Sequence, residues 1–456
     1  MQNIFEEVGS LDLRCYETFA LSEDILMEHA AEGMASYIRQ KFPQNTTITI
    51  VVGSGNNGAD GITLARLLHS DYSVKLLHAK EPKSPMACLQ KKRADAIGVI
   101  TTKEIENSDV IVDAIVGTGF SGSFNEVLTQ LIENMNRSKA FKIACDMPSS
   151  GFFADITFTM GALKKSLFLD ANKDRVGQIE VVNLGISRKL YETESNWKLL
   201  DLDDLKLPHR LREDSHKGSY GHLAVVSGEK IGASILCAMA ALRFGTGLVT
   251  LVGFEKEQIL NIPHALMYAH TLPKNTTAIA VGMGLGDEFS DNELLEFLDN
   301  ELPLVVDADL FHMPLMLKLL QKEQIVLTPH PREFVSLLRL TQLAEISVEE
   351  LQAERFHYVE LFCNAFAHAT LLLKGANVII GQKDSFYINP HGSAKLAKGG
   401  SGDVLNGLVA ALLAQGYSPL EAAINGSLTH TFLAKNYSGT DFSLTPDDLI
   451  AGIGKL

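Results

Sequence analysis

Short apolar runs alternate with longer segments of helical periodicity along most of this chain. Residues 47–53, TITIVVG, form a β-branched run too short for a helix, and a glycine-rich turn and the apolar segment ITLARLLHS follow it. The segments SVKLLHA, DVIVDAIVG and FKIACDMPSSG repeat this pattern of a short apolar run that ends at small or polar residues. A strand, a turn and a helix in this order are typical of a parallel sheet with helices packed on it. The pattern therefore predicts an α/β fold.

The alternation falls into two halves. Before the first of these strands, apolar residues recur at helical spacing over residues 22–42, and we predict a helix there that is capped by Ser22. Between residues 198 and 216 the chain is charged and shows no sustained period, so we interpret that segment as a linker. A second series of apolar runs follows, and its last long helix, GDVLNGLVAALLAQG, begins directly at a glycine cluster. We therefore predict two α/β domains, residues 1–200 and 201–456.

Composition narrows the class of protein. Hydrophobic residues make up 46% and charged residues 21% of the chain, as in an ordinary globular protein. The net charge of −15 argues against a surface for nucleic acid or anionic membranes, although backbone amides can still bind a phosphorylated small molecule. No stretch approaches the ~20 apolar residues of a bilayer span, and the start lacks the pattern of a signal peptide. Five widely spaced cysteines without a CxxC pair disfavour structural zinc and a disulfide framework, so we expect a cytoplasmic protein.

The turn after the first strand carries the first chemical signal. Its sequence, GSGNNGADG at 53–61, contains four glycines, which allow a sharp turn and a close approach to a ligand. Its amides and the start of the next helix would bind a phosphate group, and Asn56, Asn57 and Asp60 add polar side chains. The missing Walker lysine excludes an ordinary P-loop. A tight turn without a ligand is the alternative interpretation.

Two aspartates stand at the ends of later strands. Asp113 lies in VDAIVGTGFSGS, 112–123, and Asp146 lies in CDMPSSG, 145–151. Because ligands of parallel sheets gather at the carboxyl ends of the strands, the three turns should converge on one cleft. Either aspartate alone could be a helix cap or a turn residue. With the asparagine pair they form a cluster that suits an alkali or alkaline-earth cation, or general acid–base chemistry.

The sharpest signal in the second half is KGGSGDVLNG at 398–407. A glycine turn followed by Asp403 and a helix places free amides against a transferring phosphate, with a carboxylate that can take a proton from an attacking hydroxyl. The alternative is that Asp403 only occupies the first turn of a helix, where acids are favoured. KGAN at 374–377, TPHP at 328–331 and VVDAD at 305–309 are weak signals alone.

Taken together, these motifs resemble those of the two-domain NAD(P)HX repair enzymes, in which an N-terminal epimerase is fused to an ADP-dependent dehydratase. LMEHAA, GSGNNGADG, VDAIVGTGF, DMPSSG and TFTMGALK follow the epimerase order, and HKGSYGHLAVVSG, VGMGLG, VDAD, LTPHPREF, LLLKGANV and GGSGDVLNG follow the dehydratase order. The likeness covers nearly the whole chain, and the second half alone also resembles the wider ribokinase-like fold. It implies a Rossmann-like three-layer αβα epimerase domain over 1–200 and a ribokinase-like αβα dehydratase domain over 201–456.

The resemblance also implies an activity. Hydration of a reduced nicotinamide ring leaves a hydroxyl at C6 in two stereoisomers. The epimerase would interconvert the R and S forms of NADHX and NADPHX. The dehydratase would restore NAD(P)H from the S form by phosphorylating the hydroxyl and releasing phosphate. It would use ADP or ATP with Mg²⁺, the epimerase would hold K⁺, and the protein would be a homo-oligomer that binds neither nucleic acid nor membranes.

Carried over position by position, the resemblance assigns residues in both halves. Hydrate binding in the epimerase falls to Asn56, Asn57, Gly58, Ala59, Asp60, Gly117, Thr118, Gly119, Phe120, Ser121, Gly122, Ser123 and Asp146. The potassium ligands would be Asn57, Asp113 and Ser149, and the catalytic residues Asp146 and Lys164. In the dehydratase, Ala233, Gly284, His330 and Asp403 would contact the hydrate, with Asp403 as the base. Lys374, Gly375, Ala376, Asn377, Val378 and Gly402 would hold the adenine nucleotide.

The chain departs from the family pattern in places, and two other functions stay open. Ala59 stands where a second glycine is usual, and Val378 replaces a threonine. The motif DMPSSG contains an extra serine, and the loop after it is shorter than in typical members. A ribokinase-like small-molecule kinase with a non-catalytic N-terminal binding domain would share the second-half motifs. A dinucleotide-dependent dehydrogenase should have an acid ~20 residues after the glycines, where this chain has His78, Ala79 and Lys80.

Overall fold

The computed structural model describes residues 1–105, 107–119, 122–254, 262–287 and 289–456. Its contacts divide the chain into two compact units, Gln2–Ser195 and Asn196–Leu456, the latter together with Met1. The division falls at 195/196, close to the boundary expected at 200/201.

The first unit, residues 2–195, alternates strands and helices. Its helices are Gly9–Thr18 (α1), Glu23–Lys41 (α2), Asn56–Leu68 (α3), Pro85–Ala96 (α4), Glu126–Arg137 (α5) and Arg188–Tyr191 (α6). Its strands are Gln2–Phe5 (β1), Thr47–Val52 (β2), Ser73–His78 (β3), Ile100–Thr102 (β4), Val110–Ala114 (β5), Phe141–Cys145 (β6), Ile156–Met160 (β7), Leu163–Lys164 (β8) and Gln178–Val182 (β9). Short 3₁₀ helices span Lys165–Phe168 and Asp170–Asn172. As predicted, Ser22 caps α2, because its side chain accepts a hydrogen bond from the amide of Ile25.

A seven-stranded parallel sheet in the order β4-β3-β2-β5-β6-β7-β9 forms the middle layer of this unit. Side chains of β2 alternate between its two faces. Ile50 packs in one core with residues of α2 and α3, and Val51 packs in another core with residues of α5. The sheet is therefore covered on both faces, which explains why its strands are almost continuously apolar. This is the three-layer arrangement that the sequence predicts.

The second unit, residues 196–456, has the same alternation on a larger scale. Its strands are Trp197–Leu199 (β10), His222–Val226 (β11), Leu248–Val252 (β12), Met267–Ala269 (β13), Ala278–Val281 (β14), Leu304–Val306 (β15), Ile325–Leu327 (β16), Ala369–Leu373 (β17), Val378–Gln382 (β18) and Ser385–Asn389 (β19). Its helices are Ile231–Arg243 (α7), Asp291–Leu298 (α8), Met316–Leu319 (α9), Pro331–Leu340 (α10), Val348–Ala353 (α11), Arg355–Ala365 (α12), Ser401–Ala414 (α13), Pro419–Lys435 (α14) and Pro446–Ile453 (α15). Short 3₁₀ helices span Leu202–Asp204, Lys217–Tyr220, Ala308–His312 and Ala394–Leu396.

The sheet of this unit runs in the order β13-β12-β11-β14-β15-β16-β17-β18-β19-β10. Strands β11 to β17 are parallel, β18 is antiparallel to both of its neighbours, and β10 is parallel to β19. Helices again cover both faces. Ile380 joins the core that contains α7, α13 and α14, while the adjacent Gly381 faces Cys363 of α12.

The segment predicted to be a linker differs in part from that prediction. Its first two residues, Lys198 and Leu199, belong to strand β10. Trp197, the first residue of that strand, is buried and stacks on Phe386 with ring centroids 4.7 Å apart. The pairing of β10 with β19 and this aromatic contact stabilise a segment whose own sequence shows no strand periodicity.

Helix α13 begins at the glycine cluster, as predicted. Gly400 caps it with a φ of +88°, and a Cβ at that position would lie 2.6 Å from Cγ of Pro446. Both the left-handed backbone and the close contact require glycine. The next three residues, Ser401 to Asp403, form the first turn of the helix. Among the helices that the structure describes, none has the length and apolar character needed to cross a membrane.

Candidate active sites

The three predicted turns of the first unit converge on one cavity of about 810 Å³. Residues 54–57 after β2, 115–119 after β5 and Asp146 after β6 contribute to its wall. These strands are parallel neighbours in the sheet, so their carboxyl ends open at the same edge. Lys164, the last residue of β8, completes the same wall from another part of the unit.

A buried ion pair lies in this wall. The ammonium of Lys164, whose side chain is only 1% exposed, contacts the carboxylate of Asp146 and donates a second hydrogen bond to Thr159 Oγ1 at 3.1 Å. The other oxygen of Asp146 accepts hydrogen bonds from the amide and the hydroxyl of Thr118, both at 3.1 Å. Both carboxylate oxygens therefore have fixed partners, which orients Asp146 toward the cavity.

The environment of Asp146 holds it in its charged form. Burial raises the pKa of this carboxyl, but the charge of Lys164 and the hydrogen bonds from Lys164 and Thr118 outweigh that effect and leave the pKa below its ordinary value. Its backbone has a φ of +68°, an unusual conformation that aspartate tolerates better than most residues. A Cβ at Gly117 would lie 2.8 Å from Asp146 Oδ2, so glycine is needed opposite the carboxylate.

Asp113 and Ser149 form a second buried cluster. Asp113 is fully buried and accepts hydrogen bonds from the amide of Ser149 at 2.7 Å, from its hydroxyl at 2.8 Å and from the amide of Ile115 at 3.1 Å. Burial raises the pKa of Asp113 to about 6, although these hydrogen bonds oppose the rise. The side-chain amide of Asn57 is also buried, and neither its oxygen nor its nitrogen has a hydrogen-bond partner among the described residues.

Arg175, which lies between the second 3₁₀ helix and β9, contacts the segment that carries Ser149. The guanidinium of Arg175 donates hydrogen bonds to the carbonyls of Pro148 and Ser149 at 3.3 Å and 2.7 Å, and to Asn172 Oδ1 at 3.0 Å. These hydrogen bonds satisfy both carbonyls. The departure from the family pattern leaves the contact between Ser149 and Asp113 intact.

Asp60 and Asp12 are also among the carboxylates that line the cavity. Asp60 has a pKa well above its ordinary value because it is buried next to Asp146 and Asp12. Asp12 accepts a hydrogen bond of 2.7 Å from the hydroxyl of Tyr191, and burial raises its pKa as well. No sequence motif indicated Asp12, because its hydrogen-bond partner, Tyr191, is 179 positions away.

The structure brings part of the expected epimerase set together. The cavity is lined by Asn56, Asn57, Asp60, Gly117, Thr118, Gly119, Asp146 and Lys164. Outside that lining are Gly58, Ala59, Asp113, Gly122, Ser123 and Ser149. Phe120 and Ser121 lie outside the described residues. Ala59 belongs to α3, where φ is negative, so the usual glycine is not required there.

In the second unit a buried aspartate organises the corresponding edge of the sheet. Asp307, directly after β15, is 3% exposed. It accepts hydrogen bonds from Lys374 Nζ at 2.8 Å, from Thr328 Oγ1 at 2.9 Å and from Asn406 Nδ2 at 2.5 Å. These partners come from the ends of two neighbouring strands and from α13. Asp307 therefore connects the lysine to the helix that begins at the glycine cluster.

Asp403 lies in the first turn of that helix. Burial and the negative charge of Asp307 raise the pKa of Asp403 to about 6, and Lys374 opposes the rise. A Cβ at Gly402 would lie 3.8 Å from the ammonium of Lys374, so the lysine reaches the glycine turn itself. Asp403, Lys374 and the free amides of the helix start are thus adjacent, as phosphoryl transfer requires.

His330 and Glu333 lie at the start of α10 in a reciprocal capping arrangement. The amide of His330 donates to Glu333 at 2.7 Å, and Nε2 of His330 is 3.0 Å from Oε1 of Glu333. Burial raises the pKa of Glu333 to about 7 although Lys374, 3.9 Å away, opposes the rise. Burial and the charge of Lys374 lower the pKa of His330.

The remaining expected residues of this site fall in two groups. A Cβ at Gly284 would lie 3.0 Å from Cβ of Ala233, so these two residues adjoin, and α7, which carries Ala233, packs on α13. Of the residues expected to bind the nucleotide, Gly375, Ala376 and Asn377 form the turn from β17 into β18. Val378 is buried at the first position of β18.

Asp307, Asn406 and Glu333 were absent from the expected set. All three lie within motifs that the sequence offered, VVDAD, GDVLNG and LTPHPREF. What the motifs could not show is that Asp307 and Asn406, 99 positions apart, are hydrogen-bonded. The part of the chain that the structure describes contains no group of three His, Cys, Asp or Glu side chains arranged for a metal ion.

Comparison with known proteins identifies the family. Residues 23–166 match the model described as YjeF-related protein N-terminus, and residues 223–454 match the model for NAD(P)H-hydrate dehydratase. A curated relative from Helicobacter pylori, the bifunctional NAD(P)H-hydrate repair enzyme Nnr, is 40% identical over the full length of both chains. The chain belongs to the family of bifunctional NAD(P)H-hydrate repair enzymes. The resemblance inferred from the motifs is confirmed.

A second curated relative and a solved structure are also similar to this chain. The repair enzyme from Coxiella burnetii is 31% identical over 91% of this chain and 90% of its own length. A crystal structure of the ADP/ATP-dependent NAD(P)H-hydrate dehydratase from Bacillus subtilis, co-crystallised with ATP and Mg²⁺, is 26% identical and covers 55% of this chain and 92% of its own, with a TM-score of 0.46. The dehydrogenase alternative has no support among these relatives.

The Asp307–Lys374 pair gives a prediction about stability. Asp307→Ala should lower the free energy of unfolding of the second unit by about 3 kcal/mol, because it leaves a half-buried ammonium and two polar groups without their acceptor. The chain's single tryptophan, Trp197, is buried in this unit, so its fluorescence reports that unfolding.

A matched control is Asp309→Ala, which removes one hydrogen bond to the amide of Gly286 and should cost roughly 1 kcal/mol. Adding Lys374→Met to Asp307→Ala should recover part of the lost stability, because the unpaired charge is removed. Equal effects of Asp307→Ala and Asp309→Ala would contradict the role of the pair.

Proposed function

We propose that residues 196–456 dehydrate the S form of NADHX and NADPHX, and that residues 2–195 interconvert the R and S forms. The observation that carries the first part is the position of Asp403 in the first turn of α13, beside an ammonium that Asp307 holds at the glycine turn. For the second part, the supporting observation is the Asp146–Lys164 pair in the wall of a cavity that fits a nucleotide.

The contacts of Asp403 and Lys374 at the start of α13 support the following steps of the dehydration. Asp403 takes the proton of the C6 hydroxyl, and the oxygen attacks the terminal phosphorus of ADP or ATP. The amides of the helix start and the ammonium of Lys374 stabilise the charge on the transferring group. The ring nitrogen then expels phosphate from C6, a proton leaves C5, and the C5–C6 double bond of the reduced nicotinamide is restored. A carboxyl with a pKa of about 6 suits this base, because it is ionised at neutral pH yet more basic than an ordinary aspartate.

The nucleotide would enter this site with Mg²⁺. Glu333 is the side chain that fits, because its carboxylate is buried, lies 3.9 Å from Lys374 and has a pKa raised to about 7, which indicates a poorly compensated negative charge. Mg²⁺ in such sites is bound by one or two carboxylates and by the substrate phosphates, and it supplies neutralising charge. Residues 374–378 and Gly402 would bind the nucleotide, and Ala233, Gly284 and His330 would contact the hydrate.

The epimerisation uses the pair in the first unit. C6 of the hydrate carries both the hydroxyl and the ring nitrogen. Asp146 takes the hydroxyl proton, and the C6–N1 bond breaks to give an aldehyde. The ammonium of Lys164 donates a proton to the nitrogen that leaves C6. Closure of the ring on the opposite face reverses these proton transfers and gives the other isomer. The lowered pKa of Asp146 keeps it unprotonated and ready to act as the base.

Asn57, Asp113 and Ser149 would hold K⁺ beside this site. The side-chain oxygen of Asn57 is buried without a partner among the described residues, and Asp113 is a fully buried carboxylate whose pKa is raised, so both would gain from a cation. Oxygen donors of this kind suit hard cations. The ion would supply positive charge near the anionic nucleotide.

Asp403→Asn tests the dehydratase. The amide is nearly isosteric but cannot accept the proton, so the dehydration rate should fall by ~10²–10⁴-fold while nucleotide binding is retained. In the unmodified enzyme the rate should fall as the pH drops through about 6, because protonation removes the base. Recovery of nicotinamide absorbance from the S hydrate measures both effects.

Asp309→Asn makes the same chemical change in the 3₁₀ helix Ala308–His312 and should keep a rate within about twofold of the unmodified enzyme, because it loses no proton acceptor of the reaction. An Asp403→Asn enzyme that turned over at the normal rate would exclude Asp403 as the base.

Asp146→Ala tests the epimerase in a mixture of both isomers, under conditions where spontaneous epimerisation is slow. The unmodified enzyme should consume the whole mixture. The variant should stop near the fraction already present as the S form, because only the second unit still acts. Asp71→Ala, an exposed position in the same unit, serves as the control and should consume everything. Identical progress curves for the unmodified enzyme and Asp146→Ala would favour a non-catalytic first unit.

The cation is tested by exchanging the salt. Epimerisation should be faster in KCl than in LiCl at equal ionic strength, and Asn57→Ala should remove most of that difference because the buried amide oxygen is lost. Crystals grown with Rb⁺ should show anomalous density in contact with Asn57, Asp113 and Ser149. The assignment fails if the density is absent and the rates in the two salts are equal, whereas dehydration of the S form should be insensitive to Asn57→Ala.

A further inference from the structure

The cavity of the first unit is unusually acidic for a site that binds a nucleotide. Five carboxylates line it, on Glu6, Glu7, Asp12, Asp60 and Asp146. Its lining contains two cationic side chains, Lys80 and Lys164. The ammonium of Lys164 is already engaged by Asp146. Lys80, in contrast, has no acidic partner among the residues that the structure describes, and it is exposed in the cavity wall.

The position of Lys80 is fixed by backbone contacts with the glycine turn. The amide of Ala79 donates to the carbonyl of Val52 at 2.9 Å, so the chain leaves β3 beside the end of β2. Farther on, the amides of Lys83 and Ser84 both donate to the carbonyl of Ser54, at 2.8 Å and 3.1 Å. The loop that carries Lys80 is thereby attached to the turn from β2 into α3.

That turn offers space and amides for an anion. A Cβ at Gly55, the residue that caps α3, would meet nothing within 4 Å, so the turn is open on that side. The 13-residue helix α3 directs its N-terminus to the same place. An anionic group there would be adjacent to the loop that carries the unpaired ammonium. In dinucleotide-binding sheets the residue at this strand end contacts the adenosine ribose, and a basic side chain there accommodates a 2′-phosphate.

We propose that Lys80 binds a phosphate group of the hydrated nucleotide, either the diphosphate or the 2′-phosphate of NADPHX, and so sets the affinity of the epimerase for its substrate. This inference rests on the proposed epimerase function of the first unit. A dinucleotide brings at least two negative charges into a cavity with five carboxylates, and Lys80 is the side chain that can offset them without breaking the Asp146–Lys164 pair. A lysine in this role contributes a point charge rather than bidentate geometry.

The experiment compares epimerisation kinetics of Lys80→Ala, Lys80→Arg and Lys83→Ala. Lys83 is an exposed lysine on the same loop that does not line the cavity, so Lys83→Ala removes an equal charge from an adjacent position. Lys80→Ala should raise KM roughly tenfold with kcat nearly unchanged, because a charge-assisted hydrogen bond is lost. Lys80→Arg and Lys83→Ala should stay near the unmodified KM. The KM of the unmodified enzyme should also rise more steeply with salt than that of Lys80→Ala.

Using both substrates separates the two sources of phosphate. An equal rise in KM for NADHX and NADPHX assigns Lys80 to the diphosphate, and a rise confined to NADPHX assigns it to the 2′-phosphate. An unchanged KM for both, or an equal effect of Lys83→Ala, overturns the proposal while leaving the epimerase function intact.

Should the unmodified enzyme not epimerise at all, the proposed function of the first unit fails, and binding alone decides the role of Lys80. Calorimetric titration with NADPHX should then find two molecules bound per chain in the unmodified protein. One of the two should be weakened roughly tenfold in Lys80→Ala and neither in Lys83→Ala. Equal titrations of the three proteins would overturn the proposal.

Discussion

A buried aspartate paired with a lysine lies at the carboxyl edge of the sheet in each unit, and the geometry of both sites depends on these two pairs. Asp146 follows β6 and contacts Lys164, and Asp307 follows β15 and contacts Lys374. A charge in such a position is tolerated only when it is paired and its remaining lone pairs are satisfied. Thr118 donates hydrogen bonds to Asp146, and Thr328 and Asn406 donate hydrogen bonds to Asp307. Because both aspartates are fixed in this way, each lysine is held at one place in its site. The parallel topology supplies the common edge, and the ion pairs fix the positions of the charged groups along it.

The two pairs affect the pKa values of Asp146 and Asp403 in opposite directions. In the first unit Asp146 is itself a member of the pair, so Lys164 lowers the pKa of Asp146 in spite of its burial. In the second unit Asp403 is a neighbour of the pair. Asp307 is a nearby negative charge for Asp403, and burial and that charge together raise its pKa to about 6. The first arrangement favours the ionised form of a carboxylate beside an ammonium, whereas the second makes a carboxylate more basic than an ordinary aspartate.

How far the sequence could predict this structure depended on the distance along the chain between interacting residues. The cap at Ser22, the glycine turn before α3 and the start of α13 at Gly400 are local features, and each was predicted from a few neighbouring residues. The last two residues of strand β10, Lys198 and Leu199, fell within the predicted linker because the partner strand, β19, lies almost 190 positions later in the chain. The hydrogen bonds from Asn406 to Asp307 and from Tyr191 to Asp12 span 99 and 179 positions, and no local pattern contains them. Lys164 was found only through the family resemblance, since a lysine at a strand end has no distinctive spacing.

The kinase and dehydratase interpretations of the second unit share every protein group that the mechanism requires. A base in the first turn of a helix, a lysine at the glycine turn and a carboxylate for Mg²⁺ would phosphorylate a hydroxyl on any carbon that reached Asp403. The kinase and dehydratase reactions differ only after that step, and the difference arises from the substrate. A phosphate ester on an ordinary carbon is stable, so a kinase would release it. On C6 of the hydrate the adjacent ring nitrogen can expel the phosphate, and loss of a C5 proton then completes a lyase reaction. The chemistry of the hydrate therefore lets a kinase-like site act as a dehydratase. It explains why the two interpretations share the second-half motifs, whereas the order of motifs over both halves and the match over the whole chain favour the repair enzymes.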